Sequence, residues 1–138
     1  MIFTIPGDPV PQGRPRFFMR KSRRGDYISS CDPVKSTNFK GKVALFAKRA
    51  GVCLSLEPIK MTLDFYLPRP KALFRKKDPE GAVICPKRPD MDNLVKAVLD
   101  GLNGVAYKDD GQVVDLVAKK YYHGKDGAPG AIVTIEEL

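Results

Sequence analysis

The sequence predicts one α/β (α+β) domain over residues 1–138: two layers, a mixed β-sheet with two main helices covering one face. Three observations predict it. Short stretches of alternating apolar and polar residues recur along the chain, as half-buried strands require. Two segments, near 36–50 and 92–103, carry the three-to-four-residue apolar spacing of amphipathic helices. A length of 138 residues suits a single domain able to bury roughly two-thirds of its unfolded surface, and no repeat or linker divides it.

Taken in order, residues 2–5 (Ile-Phe-Thr-Ile) form a short strand stopped by Pro6, Gly7 and Pro9. The following PVPQGRPRF is irregular, because its prolines fix φ and remove donors. RFFMRKSRRGDYISS reads as two short strands around a basic turn at Lys21–Gly25. Asp32 or Ser36 is expected to cap a helix running to about Ala50, with Phe39, Val43, Ala44 and Phe46 among its apolar residues and Gly51 as its stop.

Within residues 54–67 the second half is a strand, where Met61, Leu63 and Phe65 alternate with Thr62 and Asp64. Residues 68–89, rich in Pro, Lys and Arg, read as a long loop of the kind that is functional or mobile. RPDMDNLVKAVLDGL then opens the second helix. On a helical wheel Leu94, Val95, Val98, Leu99 and Leu102 share one arc, while Asp92, Asn93, Lys96 and Asp100 share the opposite one. QVVDLVAKKYY is a strand, HGKDGAPG a turn and AIVTIEEL the last strand.

Composition narrows the function. With 43% hydrophobic and 29% charged residues the chain reads as soluble. No apolar run approaches the ~18 residues of a membrane span. The opening MIFTIPGDPVPQG lacks the charged start of a signal peptide, so a cytoplasmic protein is expected. Cys31, Cys53 and Cys85 form no CxxC pair and predict neither a disulfide framework nor a zinc cluster. His123 is the only histidine, which excludes a two-histidine site within one chain.

The excess of positive charge, +8, lies wholly in residues 1–50, where eleven Lys and Arg face Asp8, Asp26 and Asp32. Such an asymmetry marks either a polyanion partner, usually nucleic acid, or a plain basic surface. Against that background the acids gather in RPDMDNLVKAVLDGLNGVAYKDDGQVVD. Singly, each has an ordinary explanation. Asp90 and Asp92 suit a helix N-terminus, Lys96 is an i,i+4 partner for Asp92 and Asp100, and Asp-Asp-Gly is a turn signal. If the turn acids return to the helix start, three carboxylates meet and need a cation; a set with no His or Cys suits Mg²⁺ or Mn²⁺.

The stretch RPDMDNLVKAVLDGLNGVAYKDDGQVVDL closely resembles the signature of the RusA-type Holliday junction resolvases, and the opening GDPVPQGRPRF is similar to the start of that family. The firm match covers residues 88–115, with support at 1–17. The resemblance implies a Mg²⁺-dependent endonuclease, with Mn²⁺ as a substitute and no organic cofactor, that acts as a homodimer and nicks four-way DNA junctions. Residue by residue it implies that Asp90, Asp92 and Asp110 are the essential acids and metal ligands, with Lys96 the essential cation. Asn93, Asp109 and Gln112 match as well and are expected around the ligands. Asp100 matches but lies about 12 Å along the helix from Asp92, and reads as structural. A PD-(D/E)xK nuclease lacks support, since Asp115 is not followed by the required x-Lys, and an HNH site needs histidines the chain does not have.

The basic surroundings complete the expectation. Arg14, Arg16, Arg20, Lys21, Arg23 and Arg24 crowd eleven residues without an acid and suit phosphate contact. A second patch holds Arg69, Lys71, Arg75, Lys76, Lys77, Lys87 and Arg88, with Phe74 among the charges, placed either to stack on bases or to pack locally. Two rival readings stay open: a metal nuclease for other branched DNA, and a non-catalytic nucleic-acid-binding module whose acids are caps and turns.

Overall fold

The central strand organises the molecule, a computed structural model that describes residues 1–138. In β4 (Ile59–Leu67) the side chains of Ile59, Met61, Leu63, Phe65 and Leu67 are all buried, while the residues between them are half-buried. One face of the sheet is therefore apolar along its length and must be covered. β7 (Gly130–Glu137) pairs with β4 antiparallel and β6 (Val113–Tyr122) pairs with it parallel. β1 (Ile2–Pro6) lies outside β7, and the two-residue β5 (Val83–Ile84) lies outside the end of β6, giving the order β1-β7-β4-β6-β5. The mixed sheet and its one-sided helical cover agree with the sequence. β2 (Arg16–Arg20) and β3 (Tyr27–Cys31) pair only with each other, as a separate ribbon.

Both helices pack on the apolar face: α1 (Val34–Arg49) through Phe39, Val43 and Ala47, and α2 (Met91–Leu102) through Leu94, Ala97, Val98, Gly101 and Leu102. The buried stripe of α2 is turned from the arc expected on the wheel, since Val95 and Leu99 are only half-buried. Gly101 explains the rotation. A Cβ there would stand 2.9 Å from the Val43 Cβ and 3.0 Å from the Lys40 carbonyl, so the helices approach at a glycine. Gly51, at φ +86°, follows α1 as expected.

The expected cap of α1 is not made by either candidate. Pro33 holds the cap position without a side-chain bond, Asp32 pairs with Lys40 Nζ at 2.6 Å, and Ser36 lies buried inside the helix. The Ser36 hydroxyl accepts from the Gly13 N–H at 2.9 Å and donates to the Pro11 carbonyl at 3.3 Å. A proline-rich segment has no ladder to satisfy its backbone, and this hydroxyl substitutes for one.

The segment 68–89 is less of a loop than its composition implies. It holds a 3₁₀ turn at Lys71–Leu73 and β5, which is too short to register as a pattern. Its organiser is Arg69, expected on the basic surface but only 6% exposed. The guanidinium donates to the carbonyls of Leu73 (2.8 Å), Pro79 (2.8 Å) and Gly81 (2.9 Å), and lies 5.4 Å from the Phe74 ring centre. Arginine is inside because the curled segment turns carbonyls inward and they need donors.

Candidate active site and nucleic-acid surface

Asp90 holds the N-cap position of α2, yet its carboxylate makes no capping hydrogen bond. Asp92 follows in the first turn, exposed, and neither acid takes part in an ion pair within 4 Å. Local structure thus leaves both carboxylates free, at the end of the helix whose dipole favours negative charge. Lys120, near the end of β6, positions them. Its ammonium donates to the carbonyls of Lys87 (2.6 Å) and Pro89 (2.7 Å), fastening the segment that leads into α2. A lysine in a strand gives no sequence signal of that role.

The Pro-rich segment closes the other side. The Gln12 N–H donates to the Asn93 carbonyl at 2.9 Å, and Pro11, Gln12, Arg88, Pro89, Asp90 and Asn93 line one cleft. Gln12 Oε1 is buried without a donor. Asp90 shares this cleft with Gln12, and Asp92 follows it in the first turn of α2; carboxylate and amide oxygens are the donor chemistry that suits a hard divalent cation. Lys96, one turn beyond Asp92 and largely exposed, lies 3.7 Å from Asp100.

Asp110 stands elsewhere. It opens a 3₁₀ turn (Asp110–Gln112) just before β6 and past the C-terminus of α2. Gln112 pins that turn: its Oε1 accepts from the Lys108 and Asp109 N–H groups, and its Nε2 donates to the carbonyls of Ser55 and Glu57. Beneath it the Tyr107 hydroxyl donates to the Leu99 carbonyl at 2.6 Å. Burial pushes the Tyr107 phenol above its ordinary pKa, and the charges of Asp110, Asp100 and Asp109 add to the rise. Asp100 in the last turn of α2, and Asp109 and Asp110 ahead of β6, thus lie toward the C-terminal end of that helix. The helix has 12 residues, about 18 Å at ~1.5 Å per residue. One chain joins Asp90 to Asp92 but not to Asp110, and no three acids, cysteines or histidines of the chain form a group that holds a metal.

The basic residues largely remain available. In the ribbon, strand alternation puts Arg16, Phe18 and Arg20 on one face and Phe17, Met19 and Ile28 on the other. The Arg20 guanidinium lies 4.9 Å from the Phe18 ring centre, and Lys21, Arg23 and Arg24 form the tip. None of these cations, nor Arg14, has an acidic partner within 4 Å, and all are exposed. Lys71, Lys76 and Lys77 are likewise exposed and unpaired, whereas Arg75 is held by Asp78 at 3.3 Å. Phe74 packs locally, edge-on to His123 with ring centres 6.4 Å apart, and keeps 43% of its surface exposed.

A family model described as Endodeoxyribonuclease RusA matches residues 6–136. The chain belongs to the RusA family. A Bacillus subtilis relative, YqaN, is 40% identical over 126 residues, covering 87% of this chain and 86% of that protein, which is described as uncharacterized. As a RusA-family member the chain is an endodeoxyribonuclease of the Holliday junction resolvase type, and its DNA is junction DNA. Nucleases of this family generally depend on a divalent metal. No helix is long and apolar enough to cross a membrane.

Proposed function

We propose that this RusA-family chain resolves four-way junctions as a Mg²⁺-dependent homodimer, with Mn²⁺ as a substitute, making paired symmetric nicks during recombination and repair. Asp90, Asp92 and Asp110 are the metal ligands and Lys96 the assisting cation. The observation that carries this reading is the pair of unpaired carboxylates at the start of α2, of which Asp90 lines a cleft with Gln12, whose side-chain oxygen is buried without a donor. Asp90 and Asp92, two residues apart and without a cationic partner, repel one another unless a cation neutralises them, which supports a site that is loaded with one. The cation, when bound, supplies Lewis acidity toward the scissile phosphate and lowers the pKa of an attacking water.

The chain's own groups do the rest. Lys96 brings positive charge where the phosphate gains negative charge. The arginines of the ribbon and Arg14 hold the phosphate backbone, and Lys71, Lys76 and Lys77 extend that surface. Hydrolysis leaves a 5′-phosphate and a 3′-hydroxyl, ends that a ligase reseals. Resolving a junction takes one nick in each of two equivalent strands, which an isologous dimer supplies with two centres. The test compares Asp90→Asn, Asp92→Asn and Asp110→Asn with Asp100→Asn on a mobile four-way junction. The first three are expected to lose cleavage while binding the junction as well as or better than the parent, because a negative charge near the phosphates is gone. Asp100→Asn retains substantial activity. Near-normal cutting by any of the first three removes that residue from the site.

A further inference from the structure

The ribbon of β2 and β3 turns three large apolar side chains outward on one face. It pairs with no strand of the main sheet, and Phe17, Met19 and Ile28 are 73%, 61% and 70% exposed. A lone two-stranded ribbon has no core of its own and is marginal in water. Apolar side chains gathered on such a face mark an interaction surface. The opposite face and the tip are basic: Arg16, Arg20, Lys21, Arg23 and Arg24 have no acidic partner within 4 Å, and Asp26 is the only acid of residues 16–31.

Both legs of the ribbon are fastened to helices. Before β2, the Gln12 N–H donates to the Asn93 carbonyl of α2, in the cleft that Asp90 lines, and the Gly13 N–H donates to the Ser36 hydroxyl. After β3, Asp32 pairs with Lys40 of α1 at 2.6 Å. Strands of five residues, at about 3.3 Å each, carry the tip about 17 Å from that root. The ribbon is thus an arm that starts beside the cleft.

The basic half of the arm fits a phosphate backbone, and the DNA of this family is junction DNA. What covers the apolar half follows from which surfaces of DNA are apolar. Stacked duplex presents phosphates, sugars and groove edges, and three apolar side chains would leave the donors and acceptors of those edges unpaired. The faces of unstacked bases ask for no hydrogen bond. A branched DNA can open such faces where its arms meet, whereas a linear duplex keeps them stacked. Phe, Met and Ile are among the side chains that wedge against opened base steps. Phe74, the aromatic residue of the other basic patch, is already engaged by Arg69 and His123.

We propose that the Phe17, Met19 and Ile28 face of the ribbon seats against unstacked bases at the branch point, and that this contact sets the preference for branched over linear DNA. The opposite face and the tip hold phosphates in either shape. The proposal deepens the junction reading above and takes its substrate from it, but needs neither the metal nor the acids.

The test measures binding with EDTA present, so that no cleavage is involved, on a four-way junction and on linear duplex of the same sequence. Replacing Phe17, Met19 and Ile28 together with Thr is expected to weaken junction binding at least about tenfold, while duplex binding stays within about twofold of the parent. Retained duplex binding also shows that the variant is folded. Arg23→Ala with Arg24→Ala is expected to weaken both shapes alike. Equal losses on the two shapes in the threonine variant, or no loss on either, overturn the proposal. A parent that sediments as a dimer and a threonine variant that sediments as a monomer give the face to a second copy of this chain, and overturn it too. The chain has no tryptophan, so Phe17→Trp supplies a single reporter on the apolar face. Its emission is expected to be quenched by the junction and little changed by the duplex; the same change with both shapes overturns the base contact. A parent that cuts nothing with Mg²⁺, yet shows the junction preference and the selective quenching, sinks the nuclease reading and still supports the ribbon.

Discussion

Replacing Gly101 with alanine tests the helix contact that holds α2 in place. The added methyl meets the Val43 Cβ at 2.9 Å, the Lys40 carbonyl at 3.0 Å and the Val43 Cγ1 at 3.1 Å. Ordinary van der Waals contact begins near 3.4 Å, so the helices must part by several tenths of an ångström. Overpacking of this kind destabilises by about 1–3 kcal/mol, and alanine's helix propensity offsets ~1 kcal/mol of it. The net expectation is a loss of about 1 kcal/mol, seen as a melting temperature lower by about 3–4 °C for a domain of this size. Gly41→Ala is the control. Gly41 lies in α1, and a Cβ there meets nothing within 4 Å, so the same substitution should stabilise by about 0.5–1 kcal/mol. Calorimetry on the two variants reads opposite signs. A higher melting temperature for Gly101→Ala refutes the close approach as the reason glycine stands there.

Further expectations concern the surface and the supports of the site. Arg14→Ala with Arg16→Ala should weaken binding to every DNA shape and flatten the plot of log K against log salt by about 0.9 for each phosphate left without its arginine; an unchanged slope assigns these arginines to the fold or the dimer. Arg69→Met strands the carbonyls of Leu73, Pro79 and Gly81, and should cost about 3 kcal/mol, with faster proteolysis within 70–82; parent-like resistance to protease contradicts the tether. For Asp32, the hydrogen bond from Lys40 Nζ lowers the carboxyl pKa from its ordinary 3.8. A depressed folded pKa stabilises above the unfolded value and loses that stabilisation as pH falls through the folded one. Asp32→Asn should therefore lower the melting temperature at pH 6 but much less at pH 2.5, and equal losses at both pH values rule out the linkage.

What the sequence made legible follows from which signals are periodic. The alternation of Met61, Leu63 and Phe65 identifies the central strand, and the apolar spacing of Leu94, Val98 and Leu102 identifies α2, because burial of one face repeats with the geometry of the element. The placement of Asp90 and Asp92 at the start of that helix was legible from the apolar spacing that follows them. Arg69 was not. Nothing in a Pro- and Lys-rich stretch separates an arginine that faces water from one that ties inward carbonyls. The hydroxyl of Ser36 misled for a similar reason, since its partners are 23 and 25 residues away in sequence. Asp110 teaches a topological point. A helix that crosses between parallel strands runs back against them, so an acid just before β6 lies by the end of α2 and not its start. The short connection from Asn103 to Asp109 left both placements open, and only the parallel pairing of β4 with β6 decides between them.

The most direct measurement of the central claim is strand cleavage by the purified protein on a mobile four-way junction and on linear duplex of the same sequence, each with Mg²⁺ and with excess EDTA. The account predicts paired, symmetric nicks on the junction with Mg²⁺, far slower cutting of the linear duplex, and none of either with EDTA. Equal rates on the two DNA shapes, or junction cleavage that survives EDTA, contradict it.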